Sequence, residues 1–71
     1  MRLYPNPVKG DVLNISDSEN ASYRIINTLG QQVAKGTVQN GVIAVSGLTS
    51  NLYMLELEVN GQTVVKRFIK E

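Results

Sequence analysis

Apolar and polar residues alternate with a period of two along most of the chain, the spacing that puts successive side chains on opposite faces of a β-strand. In "VLNIS" (residues 12–16) Leu13 and Ile15 share one face, and Val12 and Asn14 the other. "SYRIIN" (residues 22–27) is short and rich in β-branched and aromatic residues. "QQVAKGTV" (31–38) and "GVIAV" (41–45) follow, separated by Asn40-Gly41. The longest alternation is "NLYMLELEVNGQTVVKRFIK" (51–70), with Tyr53, Leu55, Leu57 and Val59 on one face and Glu56 and Glu58 on the other. Within it Asn60-Gly61 supplies two successive residues that tolerate φ > 0, as a two-residue type I′ hairpin turn requires. No segment keeps a helical period. Strand signals recur about every 8–12 residues and predict an all-β fold, a small Ig-like or fibronectin-like β-sandwich of two antiparallel sheets with about seven strands. The expected core is Leu13, Ile15, Tyr23, Ile25, Val33, Val45, Leu48, Tyr53, Leu55, Leu57 and Phe68.

The punctuation between these runs is equally specific. "LYPNPVKG" (3–10) places two prolines one residue apart, each without an N–H donor and each pressing its preceding residue toward extended geometry. It predicts a short edge strand at Leu3 and Tyr4 followed by a turn from Asn6 to Gly10. In "INTLGQQV" (26–33) the Asn27 side chain is expected to fold onto backbone N–H groups two residues on, with Gly30 at φ > 0. Gly47 and Asn51 are expected at φ > 0 in the connection before the long hairpin. Pairing outward from Asn60-Gly61 sets Tyr53 opposite Phe68, Leu57 opposite Val64 and Leu55 opposite Lys66. A core-facing lysine is expensive unless its head reaches water. Either a bulge near Val65 turns it outward, or Lys66 lies at the sheet rim and snorkels.

At 71 residues the chain is one small domain, and such a domain buries only about 60% of the surface its unfolded form exposes. It has no cysteine and no histidine, which removes disulfides, thiolate nucleophiles, zinc–thiolate sites and the commonest general base. The net charge is +1 and the charges are scattered, so no basic stripe invites nucleic acid or a membrane surface. Apolar runs are too short to span a bilayer, and no leader-like apolar segment follows Met1-Arg2.

Candidate chemistry is thin. Glu56 and Glu58 stand roughly 7 Å apart on one strand face, a pairing that could act on a glycosidic bond. Without a cleft-forming insertion they read as a solvated outer face. "DSEN" (17–20) offers oxygen ligands for calcium but lacks the regular loop spacing, and reads as a polar loop. Asn14-Ile15-Ser16 and Asn20-Ala21-Ser22 fit the weak N-x-[ST] pattern. The serines have no histidine to form a triad. Tyr4, Tyr23, Tyr53 and Phe68 could stack on sugars or bases, but a core this small needs its aromatics. No catalytic, cofactor-binding or metal site is expected, no small-molecule substrate, and no enzyme activity; recognition or attachment remains.

Read in order, the marks resemble one family, the type A C-terminal sorting domains of the bacterial type IX (Por) secretion system. The matching stretches are "YPNP" (4–7) followed by Gly10, then "YRIINTLGQQV" (23–33), "GLTSNLYMLELEVNGQ" (47–62) and the closing "VVKRFIKE" (64–71). Asn27 stands where the family often has Asp, and Asn51 where it usually has Gly ahead of the aromatic. Both are turn-compatible residues.

The resemblance implies that residues 1–71 are a sorting domain from a larger exported protein. It directs cargo across the outer membrane, passing through the periplasm in transit to the outer-membrane surface or the extracellular medium. The implied partners are the outer-membrane translocon and its shuttle components. A sortase-like cysteine peptidase would cut upstream of the domain, with the cargo released or joined to surface lipopolysaccharide. The domain is expected to be a monomer open to edge-strand association. By this resemblance the recognition candidates are Tyr4, Pro5, Asn6, Pro7, Gly10, Asn27, Gly30, Tyr53 and Gly61. The basic end, Lys66, Arg67 and Lys70 with Glu71, joins them as the exposed feature of the last strand; the competing reading makes it edge protection only. The alternative function is a carbohydrate-binding or adhesive fibronectin-like module, which would need an exposed aromatic platform or a calcium site.

Overall fold

Each alternating run becomes a strand in the computed structural model, which describes residues 2–16 and 20–71. The strands are β1 (Leu3–Tyr4), β2 (Val12–Ile15), β3 (Ser22–Ile26), β4 (Gln32–Thr37), β5 (Val42–Ala44), β6 (Asn51–Val59) and β7 (Gln62–Lys70). They build two antiparallel sheets, a three-stranded one in the order β1-β2-β5 and a four-stranded one in the order β4-β3-β6-β7. This is the expected sandwich. Among the described residues there is no helix.

The period of two decides what lies between the sheets. Leu13 pairs with Ile43 and Ile15 with Leu3 on the inner face of the smaller sheet. Ile25, Leu55, Leu57, Tyr53 and Phe68 face them from the larger sheet, and all but the half-buried Leu3 are buried. The Tyr53 and Phe68 rings stack with centroids 5.6 Å apart. The Tyr53 hydroxyl donates to the Thr49 carbonyl at 2.8 Å, so its polar end is satisfied at the core margin. Val8, Ala21, Val38 and Val45, from the connecting segments, complete the buried cluster.

The β6–β7 hairpin runs in unbroken register from Val59 opposite Gln62 to Asn51 opposite Lys70. Asn60 and Gly61 at its tip have φ of 51° and 80°, as a type I′ turn demands. Asn40 and Gly41, at 56° and 72°, make a second such turn, closed by the Gln39–Val42 bridge. Lys66 stands opposite Leu55 with no bulge nearby, and it is exposed because β7 is the sheet's last strand. Of the two readings, the rim is the correct one.

Three expectations are corrected. Val33 is not core but 42% exposed. The β3–β4 register slips so that Ile25 faces Ala34 while Ile26 faces Gln32, leaving Val33 as the extra residue of a bulge. Tyr23 and Leu48 pack against the core but are only half-buried. Gly47 and Asn51 are not among the residues at positive φ; Asn51 is already the first residue of β6.

Candidate recognition edge

The start of the chain crosses from one sheet to the other. β1 is the outer strand of the smaller sheet, pairing Leu3 with Ile15 and Tyr4 with Asn14. Arg2 N–H donates to Ser16 Oγ at 2.8 Å, and Asn14 Nδ2 donates to the Tyr4 carbonyl at 3.1 Å. Pro5 and Pro7, both preceded by cis peptide bonds, then carry the backbone to the margin of the larger sheet. Proline suits such a crossing because it has no N–H to leave unpaired.

There the segment clips the end of β7. Val8 N–H donates to the Ile69 carbonyl at 2.7 Å, and Glu71 N–H donates to the Val8 carbonyl at 2.8 Å. Asn6 Oδ1 accepts from Ile69 N–H at 3.0 Å. Val8 and Lys70 form a parallel bridge, and the Val8 side chain is fully buried. Residues more than 60 positions apart are thus held in one short ladder.

Of the recognition candidates, the fold sets Asn6 against the end of β7 that carries Lys70 and Glu71, with Pro5 and Pro7 flanking it in sequence and Lys66 and Arg67 farther along the same strand, while Tyr4 stays on the smaller sheet. Tyr4, Lys66, Arg67 and Glu71 are exposed, and Lys70 is half-buried with its Nζ donating to the Glu71 carbonyl at 3.0 Å. Gly10 is exposed in the following loop. Asn27 and Gly30 lie apart in the β3–β4 turn, where Asn27 Oδ1 accepts from Leu29 N–H at 2.9 Å and Gln31 N–H at 3.0 Å, and Gly30 has φ of 82°. Tyr53 is a core residue, and Gly61 caps the far end of the hairpin, roughly 30 Å from Lys70 along an extended strand. These four shape the fold rather than the edge. Val8 was missed by sequence reasoning. Its signal was available, for it is the first backbone donor beyond Pro7.

Among the described residues the other chemistry does not assemble. Glu56 pairs with Arg24 at 2.7 Å on the open sheet face, a contact worth little at such exposure. It lines a shallow groove of about 450 Å³ with Glu58, Lys35, Ser22 and Thr37. Of "DSEN", read above as a polar loop, Asp17, Ser18 and Glu19 lie outside the described residues; no three acidic residues gather as a metal cage among those described. Tyr53 and Phe68 are buried, Tyr23 is half-buried and Tyr4 stands on the other sheet, so the aromatics form no shared exposed platform.

Residues 2–71 match the family described as "Secretion system C-terminal sorting domain". A beta-agarase of Zobellia galactanivorans, Beta-agarase D, is 34% identical over 70 residues, covering 97% of this chain. The chain spans 14% of the length of that curated relative.

Proposed function

The chain belongs to the secretion-system C-terminal sorting domains, and from that premise we propose how its geometry serves sorting. A domain of this family is the C-terminal signal of type IX secretion, and it marks a protein for the cell surface or the extracellular space. It engages the secretion machinery, and its family is not catalytic.

The finer reading is that the machinery recognises β7 in its clipped state. The observation that carries it is the joining of the two ends of the family match: Asn6 and Val8 hold Ile69 and Glu71 in one ladder. Lys66, Arg67, Lys70 and Glu71 then present a basic edge of fixed shape, whatever cargo precedes it. The reader of this edge is an outer-membrane translocon or shuttle component, met from the periplasm. The domain performs no chemistry itself; a sortase-like cysteine peptidase cuts upstream of it, and the cargo is released or joined to lipopolysaccharide. Residues 1–71 act as a sorting domain of a larger exported protein.

The test is a fusion of an N-terminal export signal, a reporter and this domain, expressed in a type IX host. The reporter should reach the surface there and stay in the periplasm when the translocon is deleted. Equal surface delivery in both hosts would overturn the reading.

A further inference from the structure

The backbone of β7 is open along most of one side. In an antiparallel ladder, residues alternate between pointing their N–H and C=O at the neighbouring strand and pointing them away. Ile69 points away from β6, since its N–H and C=O are bonded to Asn6 and Val8. By the same period Thr63, Val65 and Arg67 also point away, and no backbone partner meets them among the described residues. The clip covers the last turn of this edge and leaves residues 63–67 uncovered.

The side chains along that run are of two kinds. Val65, 49% exposed, and Ile69, 44% exposed, leave an apolar strip on the outer face. Lys66 lies exposed on the opposite face and Arg67 beside it in sequence, neither in an ion pair among the described residues. A second copy of β7 laid against the first would bring both cations of each copy onto one ladder, and like charges across strands repel. An incoming strand with β-branched residues on one face and carboxylates on the other matches both features.

We propose that residues 63–67 of β7 accept such a strand, an extended acidic and β-branched segment of the export machinery, as a fifth strand of the larger sheet. It aligns its apolar residues with Val65 and its carboxylates with Lys66. Main-chain hydrogen bonds supply the attachment and the alternate side chains the selectivity. This rests on the sorting reading and names the contact by which the edge is read.

The probe is a capped seven-residue peptide alternating valine and glutamate, with a valine–lysine peptide as its control, added to the isotopically labelled 71-residue chain. The glutamate peptide should slow exchange of the Thr63, Val65 and Arg67 amides by roughly tenfold or more, and the lysine peptide should not. Lys66→Gln should reduce that preference. Val65→Pro removes one outward N–H without breaking the β6 ladder and should abolish protection at Thr63 and Arg67. If Val65→Pro lowers the melting temperature, a chain with an N-methylated Val65 replaces it. No protection with the glutamate peptide, equal protection with both peptides, or protection that grows with the chain's own concentration would each overturn the proposal. In the fusion assay Val65→Pro should cut surface delivery several-fold relative to the parent domain. Parent and Val65→Pro delivered equally would overturn the edge and leave sorting intact; a parent that fails to be delivered counts against sorting, and the peptide experiment still decides the edge.

Discussion

The side chain of Tyr23 on β3 occupies the space that a side chain at Gly36 on β4 would need. A β-carbon at position 36 would meet the Tyr23 hydroxyl oxygen at 3.0 Å and two ring carbons at 3.1 and 3.2 Å. The two residues are direct cross-strand partners. Strand propensity alone favours valine over glycine, so the tyrosine decides the sign. Gly36→Val should destabilise the domain by about 1–3 kcal/mol through overpacking. Repeated in a Tyr23→Ala background, most of that cost should vanish, and a double-mutant cycle on urea midpoints measures the coupling. A cost that survives without the ring would place the conflict elsewhere.

Backbone sign separates two other glycines. Gly61 has φ of 80° with nothing near its absent β-carbon, so its role is conformational alone. Gly61→Val should cost about 1–2 kcal/mol or more, the strain of a β-branched residue in the left-handed region. Gly47 is equally open but not at positive φ. Gly47→Ala should therefore leave the denaturation midpoint nearly unchanged, and a loss comparable to that at Gly61 would contradict the geometry.

The clip is testable through one acceptor. Asn6→Ala removes the oxygen that receives Ile69 N–H, a loss of about 0.5–1.5 kcal/mol for a typical hydrogen bond. Asn6→Asp keeps an acceptor at the same place and should retain most of the stability. Amide exchange is the sharper measurement: the Ile69 amide should exchange faster in Asn6→Ala, while the Phe68 amide, turned toward β6, should hardly respond.

Export and folding must be separated at the basic end. Deleting residues 68–71 removes Phe68, which is fully buried, and losing such a side chain costs about 3–5 kcal/mol. Lost export would then report unfolding. Changing Lys66, Arg67 and Lys70 together to Gln leaves the apolar residues in place; at exposed Lys66 and Arg67 such substitutions usually shift stability by no more than about 0.5 kcal/mol each, and at half-buried Lys70 Gln keeps part of the stem and a donor. The triple variant should melt like the parent and be exported poorly. Normal export would reduce the charges to edge protection.

Strand positions, the hairpin tip and most of the core were legible because alternation and turn chemistry are local signals. The Asn27 turn and the Tyr53–Phe68 pairing needed nothing beyond spacing. Val33 was misread because a bulge shifts the face of a residue without changing the sequence pattern around it. Val38 was missed with it, since a period of two sets residues 33 and 38 on opposite faces of the run 31–38, whereas Val8 is buried by a segment that alternation does not govern. The basic end could be nominated from sequence, but its union with "YPNP" is a contact across more than 60 residues, and no local rule encodes it.

That union also fixes how the domain answers to traction. The segment around Val8 runs parallel to β7, so a load applied at residues 2 and 71 slides the two past one another. The bonds at Asn6, Val8 and Glu71 are then strained together in shear. A load applied at residues 51 and 70, which face each other at the open end of the long hairpin, instead unzips pairs in turn. Forced unfolding is governed by the barrier along the pulling direction, so single-molecule pulling should need the larger force in the first arrangement. A tow applied along the chain would thus meet the stronger of these two arrangements.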